Sequence, residues 1–278
     1  MIVKHSWMLK ATSISFLILI VVTFMAPIFT PYEPQTVNMS KVLHPPDFMH
    51  LFGTDELGRD VLSRLLHGGQ VSLLVGATAM FVSIIIGVSY GAISGFVGGF
   101  IDRVLMRFLD ACLSIPSLIL MIGLQLLFSQ GLITIIFVIS LTSWMPVARM
   151  IRTEIMVMKN DVFIQASKVV GATPIRLLYR HLLPQCWPTI TIMAISGISH
   201  AILAEATLSF LGIGIPPHEP SWGNMLMDAQ SHLLSGAWWL AFFPAMCIII
   251  TILAITSSGE LLQDRFEGYK FRQVGKIR

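Results

Sequence analysis

The chain has 278 residues, 55% of them hydrophobic and only 12% charged, with a net charge of +3 and a mean hydropathy of +0.78. Soluble domains carry about 25% charged residues, so this composition excludes an ordinary water-soluble globule and points to a membrane protein. Each crossing takes about 20 apolar residues, and about five to seven spans fit the length.

In chain order, apolar runs long enough to cross cover residues 9–29, 71–98, 104–128, 132–150, 186–213 and 237–258. They lack strict alternation and are too long for barrel strands, so helices, which pair their own backbone groups, are the physical solution in lipid. The first run exceeds the 7–15 residues of a signal-peptide core, and Phe24-Met25-Ala26-Pro27 offers no small-x-small cleavage site, so it reads as an uncleaved anchor. All Lys and Arg except Lys41, Arg59 and Arg64 fall on one side if the N-terminus is cytoplasmic. The excess of basic residues on inner loops then places both termini in the cytoplasm. The expected fold is an all-α polytopic membrane protein of about six transmembrane helices. It divides into a tail and first span (1–30), an extracytoplasmic loop with a short helix (31–70), a five-span core (71–258) holding a cytoplasmic loop (151–185), and a cytoplasmic tail (259–278).

In the first outer loop, "LFGTDELGRDVLSRLLHGGQVSL" (51–73) reads as a helix capped by Thr54, with Asp55 and Glu56 in its first turn, Asp60 and Arg64 paired at i,i+4, and Gly68 as its stop. Two roles fit. The charges brace the loop locally, or Asp55, Arg59 and Asp60 receive a partner and cap the outer mouth. His44 and His50 lie six apart in the same loop, a weak metal signal. Asp110 lies in the third span, one to two turns from its start, with Pro116 expected to kink the helix just beyond.

The inner loop contains "QASKVVGATPIRLLYRHLLP" (165–184). Phe163, Ala166 or Ser167, and Val170 recur at helical spacing, and Gly171 suits a left-handed C′ position. Thr173 as N-cap and Pro174 at the first helical position start a second helix, with Ile175, Leu177, Leu178 and Leu182 on one face. Such a hairpin lies on anionic lipid with Lys168, Arg176 and Arg180 toward the phosphates, or docks Phe163 and Val170 into a partner's groove. In the fifth span, Glu205 lies roughly 28 Å from Cys186 along the helix at about 1.5 Å per residue, with His200 five residues earlier. A carboxylate at that depth is costly, so it either meets a cationic cargo or faces a partner or neighbouring helix. Beyond it, "PPHEPSWGN" (216–224) is stiffened by prolines and carries Trp222, read as an interfacial anchor or as part of a segment turning back toward the pore. Cys112, Cys186 and Cys247 form no C-x-x-C pair and read as packing residues.

Ala166-Ser167-x-x-x-Gly171 followed by Leu183-Pro184 resembles the E-A-A-x-x-x-G loop of ATP-binding-cassette importer permeases, with Gln165 where that family has Glu. The 51–73 stretch resembles the F-G-T-D-x-x-G-R-D segment of the family's dipeptide, oligopeptide and nickel branch, and "LSFLGIGIPPHEPSWGNML" (208–226) is similar to its L-S-F-L-G-x-G and P-S-W-G motif. The short opening tail suits the C-type subunit of the permease pair, whereas Ile255 to Glu260 depart from the family's F-N-x-x-G-D. The resemblance implies a cell-membrane permease, bacterial or archaeal, whose hairpin is a coupling helix seated on a cytosolic ATPase through Phe163, Gln165, Ala166, Ser167, Val170, Gly171, Leu183 and Pro184. It implies as partners a second homologous permease, two ATPase subunits and an extracytoplasmic solute-binding protein. No cofactor is then expected in this chain, since ATP and Mg belong to the ATPases. The implied cargo is a di- or oligopeptide, with nickel or a metal chelate as the alternative. Asp110, His200 and Glu205 are the candidate cargo-path residues, and Asp55, Arg59, Asp60 and Trp222 the outer loop and gate. The chain has no G-x-x-x-x-G-K-[ST], H-E-x-x-H or G-x-S-x-G, and no repeat of the kind a secondary transporter carries, so an enzyme or a secondary carrier is disfavoured.

Overall fold

A computed structural model describes residues 32–274, together with Val21 and Thr30, and their side chains as far as Gln263. The expected first span at 9–29, Val21 apart, and the last four residues of the tail lie outside the described residues.

Asp60 opens the longest helix. Its backbone is extended and its carboxylate accepts the Ser63 N–H at 2.8 Å, satisfying one of the unpaired donors at a helix start. Helix α1, Val61–Val97, then runs 37 residues, roughly 55 Å at about 1.5 Å each, well beyond a hydrocarbon core of about 30 Å. Gly98, at φ +71°, ends it. Thr54 therefore does not cap a helix: residues 54–60 form an irregular turn closed by a Thr54–Asp60 bridge. Nor does Gly68 stop one. It lies inside α1 because the Ser221 backbone packs against it, so close that a Cβ at Gly68 would sit 3.1 Å from the Ser221 Cα.

The expected third span is broken. Helices α2, Gly99–Leu113, and α3, Ser117–Gln125, meet at 85° across Ser114–Pro116, where Pro116 is extended and supplies no N–H to continue the ladder. Helix α4, Leu132–Met158, continues beyond the apolar run that announced it and carries Pro146 inside. The hairpin consists of α5, Val162–Val169, and α6, Pro174–Leu177, the latter continued by a π turn, Leu178–Leu182, and α7, Leu183–Gln185. Helix α8, Trp187–Phe210, is followed by the short α9, Trp222–Ala229, and by α10, Trp239–Val274. Four of these helices, α1, α4, α8 and α10, are long and apolar enough to cross a membrane, and the bent α2–α3 pair makes a fifth if it counts as one span. Among the described residues every regular element is a helix, and the Thr54–Asp60 bridge is isolated.

Lipid tails are as apolar as leucine, so burying hydrophobic surface does not drive these helices together; close packing and polar contacts do. Gly87, Gly91 and Gly95 form a stripe at four-residue spacing along α1, and α4 lies on it. A Cβ at Gly87 would sit 2.7 Å from the Trp144 carbonyl oxygen, one at Gly95 2.7 Å from that of Arg152, and one at Gly91 closer still to that of Ala148. Ser83 Oγ donates to the Ser140 carbonyl at 3.1 Å, and Ser140 Oγ lies 3.2 Å from the Ala79 carbonyl. On another face of α1, Gly76 accommodates Ile202 of α8, and Met80 fills the space left by Gly197. At the C-terminal end of α1, Arg152 clasps Asp102 through two bonds of 2.5 and 2.6 Å while Ser94 Oγ donates to the same carboxylate, joining α1, α2 and α4.

Candidate functional site

Helices α4 and α8 stand apart enough to leave a groove. Its outer part is a cavity of about 480 Å³, bounded by Met80 of α1, Ser117 and Met121 of α3, Thr142 and Pro146 of α4, and the α8 face around His200. Toward the hairpin a second cavity of about 610 Å³ lies between the same two helices, lined by Met150, Thr153, Glu154 and Val157 of α4 and by Pro188 and Thr189 of α8. Positions 143, 146, 150, 153 and 157 recur every three to four residues, so both cavities follow one face of α4. Among the described residues the outer cavity is lined by apolar groups with hydroxyls from Ser117, Thr142, Ser143, Ser196 and Thr207, and by no Asp, Glu, Lys or Arg. Pro146 cannot donate to the Thr142 carbonyl four residues back, which loosens the α4 ladder beside the cavity.

The three expected path residues do not come together. His200 lines the outer cavity, its Nδ1 2.9 Å from the Ser196 carbonyl one turn back. Glu205 is fully buried away from that lining, with Ser72 Oγ donating to Oε2 at 2.7 Å and Ser209 Oγ to Oε1 at 2.9 Å. Of the readings open for it, the neighbouring-helix contact is the one seen. Asp110 is exposed on α2 and pairs with Arg149 of α4.

At the opposite end from the hairpin, the first loop packs down on α1, α9 and α10. Asp55 accepts the Arg59 Nε at 2.6 Å and also pairs with Arg64, which is only 2% exposed and reaches Asp228 of α9 at 3.2 Å. Asp60 therefore does not pair with Arg64. It caps α1 and holds the His50 Nδ1 at 2.9 Å, because the Arg64 side chain turns toward two carboxylates from other segments. Burial pushes the Asp228 carboxyl above the usual range, against the opposing pull of Arg64. Glu56 meets His232 at 2.8 Å, and the Trp239 indole donates to the Thr54 carbonyl at 3.2 Å. Trp222 is not an exposed anchor. It is the first residue of α9, 1% exposed, and its Nε1 donates to the Leu65 carbonyl at 3.0 Å. The proline-rich loop before it is held by Asn224, whose Nδ2 donates to the carbonyls of Ile215, Pro216 and Glu219 at 3.0–3.1 Å.

The hairpin forms as its local signals indicate. Gly171 has φ +89° after α5, and Thr173 Oγ1 accepts the Arg176 N–H at 3.4 Å. Ile164, Leu177 and Leu182 are buried, whereas Ile175 is 72% exposed, because the π turn after Leu177 changes the phase of the buried face. Val169 and Val170 are 88% and 89% exposed, Phe163 is partly exposed, and Gln165 reaches back to the Lys159 carbonyl at 3.4 Å. Ala166, Ser167, Val170 and Gly171 border one shallow cavity with Arg176 and His181. Leu183 packs with Cys186 and Leu182 against the membrane helices, and Pro184 borders the groove at its hairpin end.

The family of binding-protein-dependent transport system inner membrane components matches residues 83–268. The chain belongs to this family. The permease is 38% identical over 251 residues to the dipeptide transport system permease protein of Bacillus subtilis, covering 90% of this chain and 78% of that protein. It is 37% identical to the oligopeptide transport system permease protein of the same organism, covering 90% and 82%. The di/tripeptide transport system permease protein of Pseudomonas aeruginosa is 36% identical, covering 90% and 84%. Among solved structures, an inward-facing form of the MetNI methionine ABC transporter matches with a TM-score of 0.59 at 17% identity, over 73% of this chain and 95% of that one. That likeness concerns the fold alone. The resemblance read from the sequence thus holds for the family, and the permease is a multi-pass membrane protein.

Several groups at the site escaped the sequence reading. Glu154 ends an apolar run among basic residues and carries no motif. Asp228 meets Arg64 across 164 residues of chain, which no local pattern reveals. The stripe of Gly87, Gly91 and Gly95 was visible as a small-residue spacing, the signal by which it could have been found.

Proposed function

We propose that this chain is the pore-forming permease subunit of an ATP-driven importer of di- or oligopeptides. The observation that carries the reading is the groove between α4 and α8. It is long, dotted with hydroxyls and free of charged groups in its outer part, which suits cargo with a shared backbone and variable side chains. The relatives named above are peptide permeases, and they supply the cargo class. One groove open on a side does not seal a pore, so a second homologous permease completes it, an extracytoplasmic binding protein delivers cargo to the cap around Asp55, Arg59, Asp60 and Trp222, and two cytosolic ATPases carry ATP and Mg.

In this reading the hairpin is the coupling element. Phe163 on α5 and Val170 just after it present apolar surface, Gln165, Ala166, Ser167 and Gly171 shape the seat, and Leu183 and Pro184 join it to α8. ATP binding closes the ATPases and moves the hairpin, tilting α4 and α8 from inward-facing to outward-facing; hydrolysis resets them. The test is uptake in cells lacking and regaining the gene, with a labelled dipeptide, a longer peptide and nickel with its chelators in parallel. Peptide uptake should return with the gene and vanish with an ATPase mutation. Recovery of metal uptake alone would overturn the peptide assignment.

A further inference from the structure

Among the described residues, Glu154 is the one acidic residue that lines either cavity of the groove. It lies on the groove face of α4 near the hairpin, among Met150, Thr153, Val157, Gln185 and Thr189, all neutral. The basic residues near it in sequence are engaged elsewhere: Arg149 pairs with Asp110, Arg152 with Asp102, and Lys159 Nζ donates to the Phe96 carbonyl. Among the described residues its buried Oε2 has no hydrogen-bond partner, and the neighbouring Cys186 thiol is only a weak donor. A half-buried carboxylate in a neutral setting is costly unless a cation comes to it.

We propose that Glu154 is the group through which this permease recognises a cargo ammonium as cargo reaches the hairpin end of the groove. The inference rests on the peptide reading above. On this chain's side the described residues of the outer cavity offer cargo hydroxyls, His200 and apolar surface, so this chain first meets the cargo's charge at Glu154. A primary ammonium supplies three donors and a compact charge, which fits a carboxylate with a free oxygen. The N-terminus of a peptide and the side chain of a lysine offer the same chemistry.

The experiment measures maximal uptake rates in cells carrying the whole transporter with wild-type, Glu154→Gln or Glu154→Asp permease, at matched abundance. The cargoes are a free peptide, its N-acetylated form, and an N-acetylated form bearing lysine. Because the binding protein is the same in all strains, each cargo is compared only with itself across variants. Glu154→Gln should slow the free peptide about tenfold, the scale of one lost charge-assisted contact, and Glu154→Asp should restore most of the rate. A slowing of the lysine form as well assigns the site to any ammonium; its absence assigns it to the N-terminus. Unchanged free-peptide rates with Glu154→Gln, slowing that is equal for the N-acetylated peptide without lysine, or slowing not relieved by Asp, would overturn the proposal. If wild-type cells take up no peptide at all, the peptide reading itself fails, and this inference with it.

Discussion

Replacing Gly87 by Ala adds one methyl group where two helix backbones touch. The new Cβ would lie 2.7 Å from both the Trp144 carbonyl oxygen and the Val147 Cβ, where ordinary contact begins near 3.4 Å. Neither neighbour is the far end of a flexible side chain, so α1 and α4 must part by several tenths of an ångström along a seam that Gly91 and Gly95 share. Overpacking of this kind costs about 1–3 kcal/mol, offset by about 0.5–1 kcal/mol from the better helix propensity of Ala. The net loss is then about 0–2.5 kcal/mol, centred near 1 kcal/mol. Gly123→Ala on α3 is the control, because a Cβ there meets none of the described residues within 4 Å. The assay is the fraction of purified protein that stays folded and monodisperse in detergent after heating, measured alongside uptake in cells. Gly87→Ala should lose heat resistance and Gly123→Ala should not. Equal heat resistance of the two variants and the wild type would refute the claim that direct backbone contact holds this seam.

Arg64→Met removes the shared partner of Asp55 and Asp228 while keeping much of the side chain's bulk; one-sided loss of a buried pair costs about 3–5 kcal/mol, and membrane abundance measured by immunoblot should fall sharply. Glu205→Gln keeps an acceptor for Ser72 or Ser209, whereas Glu205→Leu strands both hydroxyls at about 1–3 kcal/mol each; equal melting behaviour of the two variants would show that those bonds do not matter. Gly171→Pro cannot adopt φ +89°, so uptake should vanish while the protein inserts at normal abundance, and retained uptake would remove the hairpin from coupling. Trp222→Phe loses the bond to the Leu65 carbonyl and leaves a void in a fully buried site, and should cost about 2–3 kcal/mol in the same heating assay; an unchanged melting profile would mean that the indole is not packed and bonded there.

Features decided within a few residues were legible in advance. The hairpin is the best case: Gly171, Thr173 and Pro174 act through their own backbone preferences, and each takes the position its chemistry favours. Apolar runs likewise located α4, α8 and α10, since lipid demands continuous helix there. Where partners come from distant segments, local reading failed. Thr54 was a plausible cap, but its hydroxyl sits close enough to hydrogen-bond the Lys41 carbonyl, and the His44 N–H binds it, so Asp60 starts the helix instead. Trp222 had the profile of an interfacial residue until α1 offered its indole the Leu65 carbonyl. Glu205 looked like a path residue because charge in a span is rare; two serines, one of them 133 residues away, give it a different use. Glu154 shows the converse, since only the geometry of the groove distinguishes it from any acid near a helix end.

The length of α1 has a consequence for how this chain can change. One unbroken helix carries the cap contacts at Arg64, the Ser72 hydroxyl that meets Glu205, and the glycine stripe against α4. Adding or deleting a single residue between these stations turns everything beyond it by about 100° and shifts it about 1.5 Å. Such a change would swing the stripe away from α4 if the cap stays seated, or unseat the cap if the stripe holds. A substitution on α1 therefore acts at its own station, whereas the residue count between Arg64 and Gly95 is locked, and variation in length must be confined to the connections around the helix.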